Sequence, residues 1–432
     1  MNKGRLFSLI SQKINLVEYL LSCRYLDMNW EVIIFKERFS GLILKGNILR
    51  IISWGVLCIP VFFSTPKLQG QTSPKYSNEF LAIGVGARAL AMSNAMTSTV
   101  DDVTAVYWNP AALTDIEYRH QFSFQHAAYF QGVANYDYLG YAYAVDKDSH
   151  IGIAIIRLGI DDIPDTRLLF DSNGALDYDG VQFFNASDIA LIFSYARGVS
   201  FVGGDPFATG LTFGANFKLI RRNVGDFARA WGFGLDFSAK YRYHDWDFGL
   251  MVRDITTTFN AWSINQEELR TAFGQTGNEI PGNSLELTLP RLIAGASRSF
   301  IINDKIDMLA AADLVFTFDG RRNVLVNVDP QFGFEFDYED KFFLRLGIGN
   351  FQRVKDFSRD LPGQESTFWS FQPNMGVGIQ LEDFTIDYAL TDIGNVAESP
   401  YSHVFSIRYN LSKLSSIYAE NKRKLKEVKD EN

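Results

Sequence analysis

From residue 119 to residue 411 the chain alternates apolar and polar side chains with a period of two, stretch after stretch, and the connections between stretches are alternately short and long. Residues 231–242 place Trp231, Phe233, Leu235, Phe237, Ala239 and Tyr241 on one face, with Gly232, Gly234, Asp236, Ser238, Lys240 and Arg242 on the other. Residues 331–338 and 384–391 repeat the pattern. Successive residues of a strand point to opposite faces, so each stretch is a strand with one apolar and one polar or small face. Tight connections fall at 146–148, 243–245, 302–304, 339–340 and 382–383, with a looser one at 198–209; the longest alternate connections are 159–186, 254–285 and 350–370. A transmembrane barrel has this asymmetry, because its turns are short on the periplasmic side and its loops long on the outside.

About fourteen such stretches are visible, each roughly the nine to eleven residues that a tilted strand needs to cross a bilayer. The expected fold is therefore all-β, an antiparallel outer-membrane barrel over residues 118–411. An aromatic content of 15% and only 12 prolines suit such strands. A soluble sandwich or propeller would have to hide an apolar face on nearly every strand, and no blade-length repeat is present.

Upstream, 45–50 and 51–63 read as the basic and apolar regions of a signal peptide, with cleavage near Gly70. The apolar run is too short to span a bilayer as a helix. Residues 1–70 are thus expected to be a leader region, its long mixed beginning suggesting a start placed too far upstream. Both cysteines, Cys23 and Cys58, lie in it, so the exported chain has no disulfide framework. Removing it leaves 32 basic and 46 acidic residues, a net charge of −14 that argues against nucleic-acid binding. Export and outer-membrane localisation follow as expectations.

Residues 71–117 precede the first strand and are rich in small residues, with Arg88 set against Asp101 and Asp102 and with Trp108-Asn109-Pro110 near the end. Such a segment can pack closely and satisfy its own charges, as an element seated in the barrel mouth. The run Gly86-Ala87-Arg88-Ala89-Leu90-Ala91-Met92 and the run from Asp101-Asp102 to Trp108-Asn109-Pro110-Ala111-Ala112-Leu113 resemble the N-terminal signature of the PorV/PorQ family of Bacteroidetes outer-membrane barrels. That family is related to the FadL long-chain fatty-acid transporter fold, whose N-terminal hatch carries a similar Asp-Asp…Asn-Pro-Ala stretch. The chain departs from the family pattern at Ala91, Ser93 and Asn94, where glycines are commoner, and in its charged tail. The resemblance implies a hatch built on Gly86, Arg88, Asp101, Asp102, Trp108, Asn109 and Pro110. It also implies a non-enzymatic accessory role in type IX secretion, binding the translocon barrel or secreted cargo. The alternative is a FadL-like passive transporter of hydrophobic small molecules. An apolar pocket near the hatch would favour transport; a plugged interior with apolar loops would favour a secretion partner.

Inward-facing charges recur, and Glu335 is expected to face Arg345, and Asp387 to face Arg408, as lumen ion pairs. In the 254–285 connection, Ser263-Ile264-Asn265-Gln266 reads as a capping box for a short helix stopping at Gly274. Leu269 and Phe273 on that helix, with Phe259 and Trp262 beside it, would make a partner-facing apolar loop. Residues 171–180 lack the oxygen ligands of a calcium loop at Ala175 and Leu176 and read as turns. The five histidines are scattered, with His126 on the lipid or partner side beside Phe122, Phe124 and Phe130. No catalytic residue, metal ligand or cofactor site is expected, and outer-membrane lipid is the assured neighbour. The charged tail 412–432 is expected in the periplasm.

Overall fold

A strand that is greasy on one face and polar on the other needs a dry and a wet surface at once, and its edges need partners. Closure around a lumen satisfies all of these. The computed structural model describes residues 78–414 apart from 168, 170–174, 200–207, 277–278, 319–325, 356–366 and 392–401. The expected leader, the tail beyond 414 and the first part of the 171–180 segment lie outside the described residues.

The wall runs through β1 (Tyr118–Tyr129), β2 (Ala134–Ala144), β3 (Ser149–Asp165), β4 (Gln182–Val199), β5 (Ala208–Val224), β6 (Ala228–Tyr243), β7 (Trp246–Arg253) and β8 (Thr258–Ile264). It continues through β9 (Ser284–Thr288), β10 (Arg291–Asn303), β11 (Ile306–Thr317), β12 (Asn327–Tyr338), β13 (Phe342–Lys355), β14 (Thr367–Leu381), β15 (Phe384–Thr391) and β16 (Ser402–Lys413). Antiparallel pairing proceeds around the ring and β1 pairs with β16, which closes it. β7 and β8 succeed each other along β6, while β10 and β9 succeed each other along that interrupted strand. The sixteen segments therefore form a closed fourteen-stave barrel.

The faces separate as the alternation requires. On β6, Trp231, Phe233, Leu235 and Phe237 are exposed on the outer wall, whereas Asp236, Ser238 and Lys240 are buried in the lumen. An exterior of this kind is stable in hydrocarbon and not in water, so the barrel spans a membrane, and barrels of this kind belong to outer membranes. Among the described residues no helix is long and apolar enough to cross one.

Inside the ring, residues 78–116 fold as a 3-10 turn (Glu79–Ala82), α1 (Ala87–Ala91), α2 (Ala105–Trp108) and a second 3-10 turn (Pro110–Asp115). Nearly all of their apolar side chains are buried, including Phe80, Val85, Met92, Met96, Val103, Val106 and Leu113. The barrel's core is thus the seam between this segment and the inner wall, chiefly Tyr129, Tyr136, Tyr138, Ile156, Ile192 and Ile220. Bare backbone meets bare backbone where glycines line that wall. A Cβ on Gly249 would sit 2.1 Å from the Thr97 carbonyl oxygen, and one on Gly347 would sit 2.4 Å from the Ser93 nitrogen.

The 254–285 connection differs from the expectation of one long loop. Its first and last parts are wall, as β8 and β9, and only 265–283 lies between them, bearing α3 (Gln266–Thr276). α3 runs through Gly274 rather than stopping there. The strand is interrupted at 254–257, where Asp254 (φ 55°) and Thr257 (φ 60°) adopt left-handed backbone, and then resumes in register with β6. Asp254, and Pro290 opposite it, look like strand ends in a linear reading, yet the neighbouring strand supplies hydrogen bonds on both sides of the gap.

Candidate functional site

α1 places Arg88 at the centre of a charge chain. The helix is one turn long and begins at Gly86, whose φ of 88° suits a residue without a side chain. Its first amides are held by the wall: Gly86 N donates to Gln125 Oε1, and Ala87 N to Ser406 Oγ at 3.1 Å. Arg88 then donates to both Glu335 oxygens, at 2.9 and 2.8 Å, and to Asp101 at 2.6 Å. Glu335 also accepts from Arg345, and Arg345 reaches Asp387 at 2.6 Å. The chain therefore reads Asp101–Arg88–Glu335–Arg345–Asp387.

The structure brings Glu335 and Arg345 together across β12 and β13, where they are register partners. Asp387 and Arg408 are not paired. Arg345 passes over β14 to Asp387 because Gly376 and Gly378 put no side chain in its path; a Cβ on Gly378 would lie 2.7 Å from Arg345 Nη1. Arg408 turns instead to Asp102 at 2.7 Å. Asp102 thus bonds Arg408 directly, while its charge still acts on Arg88 from nearby. Its other oxygen caps the turn ahead of α2 by accepting from Thr104 N and Thr104 Oγ1.

The rest of the expected hatch motif is structural in its contacts. Asn109 Oδ1 accepts from Ala111 N at 3.1 Å, and its amide donates to the Thr97 carbonyl at 2.6 Å, which joins the two halves of the segment. Pro110 supplies the first position of the 3-10 turn, where its missing N–H costs nothing. Trp108 donates to the Val85 carbonyl at 2.8 Å. Below, Asp115 meets Lys240 at 2.6 Å and Arg242 at 3.5 Å. Burial opposes the Asp101 charge, but Arg88, Arg408 and Lys240 overcome this and lower its carboxyl to about 2. Half of that side chain is exposed, which weakens the pull without cancelling it. Burial also opposes the Asp115 charge, and Lys240 and Arg242 lower its pKa all the same.

Several wall residues that hold the hatch escaped the sequence reading. Asp313 accepts from Met96 N and Thr97 N at 3.0 and 2.8 Å, Asn374 donates to Ser93 Oγ, and Gln121 accepts from Val103 N. Their only signal was a polar residue on the inner face of an otherwise apolar strand. Lys218, Asp236 and Asp254 form a further buried cluster at the wall interruption, with Lys218 Nζ 2.7 Å from Asp236.

The expected partner-facing loop does not assemble. Phe259 and Trp262 lie in β8 on opposite faces of the wall, Phe259 packed on Phe233 outside and Trp262 inside, donating to Glu286. Leu269 and Phe273 are half-buried on α3.

Between the hatch and the β10–β13 wall lies a cavity of about 440 Å³. Tyr107, Trp108, Ile293 and Val315 give it an apolar side, and Arg253, Arg291, Gln331 and Asn350 a polar one. Arg253 stacks on Tyr107, 4.1 Å from the ring centroid, and donates to the Tyr107 carbonyl. Thr317, Asp329 and Asn350 come from the ends of β11–β13 that lie away from the tight turns, so the cavity is on the side of the hatch away from those turns.

No protein-family model matches the chain, and no curated protein does. Among solved structures it is similar to the Ralstonia pickettii toluene transporter TbuX at 15% identity, covering 76% of this chain and 98% of that one with a TM-score of 0.43. The Pseudomonas putida toluene transporter TodX gives 14% identity, 75% and 96% coverage and a TM-score of 0.44. A Pseudomonas aeruginosa FadL homologue gives 12%, 75%, 98% and 0.42. At these TM-scores the overlays are loose; the stave count and the hatch geometry rest on the chain's own hydrogen bonds.

Proposed function

We propose that this barrel is a passive outer-membrane transporter of small amphipathic molecules. The observation that carries the reading is the 440 Å³ cavity above the hatch, within the range that encloses a small ligand. Its lining offers aromatic and aliphatic surface on one side and guanidinium and amide donors on the other, which suits a short acyl or aromatic body with a polar end. Passage onward requires the hatch to shift or the wall to part at the 254–257 interruption, beside the cavity-lining Arg253 and Arg291. Substituting Val315→Trp puts an indole into the cavity and leaves the ion pairs untouched. Decanoate or benzoate binding to the full chain in detergent, measured by calorimetry, should weaken at least about tenfold in that variant. Binding that is absent in the parent chain, together with unchanged uptake of both compounds by cells lacking the protein, would sink the reading.

The second reading is the accessory role in type IX secretion that the PorV/PorQ resemblance implies. It is favoured by the firmness of the plug, which the Arg88–Glu335–Arg345–Asp387 chain fastens to three strands. Affinity purification from membranes tests it: recovery of the chain without a translocon barrel or secreted cargo counts against it.

A further inference from the structure

Two guanidinium groups face each other on the inner wall. Arg253 ends β7 and Arg291 begins β10, and the two are cross-strand partners. Like charges directly opposed in a sheet repel, and an anion beside them relieves the repulsion. Both residues line the 440 Å³ cavity. Among the described residues no carboxylate lies within ion-pair distance of Arg253. Asp236 and Asp254 are near enough to act on it, but both are bonded to Lys218. Its own contacts are the Tyr107 carbonyl and the rings of Tyr107 and Trp108, so most of its donors remain for a ligand.

The hatch side of the same cavity carries the opposite chemistry. Glu79, in the 3-10 turn that opens the hatch, is exposed, lines the cavity and makes no ion pair among the described residues. Asn94, with left-handed backbone (φ 67°), sets its side-chain oxygen against Gly84 and Trp108. That oxygen is buried and accepts no hydrogen bond among the described residues. A buried acceptor without a donor is costly, and an N–H from a ligand would satisfy it. Trp108, Ile293 and Val315 supply apolar surface between the two polar edges.

A fatty acid would use the guanidinium edge alone, and a simple amine the hatch edge alone. A zwitterion with an apolar body uses both. Taken as a sphere, 440 Å³ is about 9 Å across, the reach of two to three extended residues at about 3.3–3.6 Å each. A single amino acid holds its charges too close together to span that width. Resting on the reading of the barrel as a transporter, we infer that the cavity receives an apolar peptide of about two or three residues. Its C-terminal carboxylate sits on Arg253 and Arg291, its N-terminal ammonium at Glu79 and Asn94, and its side chains on Trp108, Ile293 and Val315.

The test is calorimetry on the full chain in detergent, with phenylalanylvaline, its N-acetyl derivative and its C-terminal amide as probes. The free dipeptide should bind at least about tenfold more tightly than either capped form, as expected for loss of a charge-assisted hydrogen bond at one pole. Glu79→Gln should reduce the preference over the N-acetyl form to within about threefold and leave the preference over the amide. Arg253→Gln should do the reverse, with barrel formation checked by heat-modifiable electrophoretic migration. Should Arg253→Gln fail to form a barrel, the capped probes on the parent chain and the exposed Glu79→Gln site decide. Equal binding of the three probes overturns the inference, as does an unchanged preference in either folded variant. A chain that binds decanoate or benzoate but not the dipeptide overturns it too, and leaves the transport reading standing. A chain that binds none of these compounds overturns the inference and, with unchanged uptake, the transport reading as well.

Discussion

Arg88, Glu335, Arg345 and Asp387 are nearly stripped of water in the lumen, so each is stable as an ion only while its partners are present. Removing one member of such a group typically costs about 3–5 kcal/mol, because the remaining charge is left uncompensated. This makes the chain of charges a device for holding α1 in one place more than a source of net stability. Asp101 closes it on the more exposed side and provides a pH signature. Its folded pKa, about 2, lies below its ordinary 3.8. A carboxylate lowered on folding contributes stability above its ordinary pKa and loses it as pH falls through the folded value. Hatch protection from protease should therefore be flat from pH 7 to about 5 and decline between about pH 4 and 2, and Asp101→Asn should flatten that decline. Limited proteolysis followed by mass spectrometry at stepped pH measures it; an unchanged slope in the variant would contradict the assignment. At this scale the sequence made the residue types legible but not all the pairings. Glu335 and Arg345 are directly opposed, so a local reading finds them. Asp387 and Arg408 are set two positions off register, and the absence of side chains at Gly376 and Gly378 redirects Arg345.

Among the elements, the alternation of side chains was enough to locate most strands, because a one-residue slip would turn every apolar face into the lumen. It failed at the β7–β8 interruption, since hydrogen bonds from β6 and β10 decide there whether a strand ends or resumes. The fit of hatch to wall was likewise hidden: glycine on an inner face reads as merely small until the backbone it admits is known. Gly347 is such a position, with the Ser93 nitrogen and the Met92 carbonyl carbon inside the space a side chain would need. Gly347→Leu should leave the outer wall intact yet displace the 91–94 turn, at about 1–3 kcal/mol of overpacking. The expected result is normal heat-modifiable migration with faster tryptic cleavage at Arg88; cleavage at the parent rate would show that the contact yields.

For the molecule as a whole, fourteen staves enclose more space than their own side chains fill, and the hatch occupies much of the remainder. Deleting residues 79–113 should convert the barrel into a conducting one, measured as steady single-channel current in a planar bilayer. The intact chain should show none; equal conductance in both would mean that the hatch does not seal the lumen. The two-residue period by itself determined a membrane barrel, and the alternation of short and long connections set the orientation expected for it. Those signals are local, set by pleat geometry and by the energetic separation of lipid from water. Closure through β1 and β16, the partners of Arg345 and Arg408, and the cavity beside Tyr107 and Trp108 were decided only in three dimensions. Each depends on contacts between residues far apart in the chain, whose meeting is governed by shear and packing rather than by any neighbouring residue.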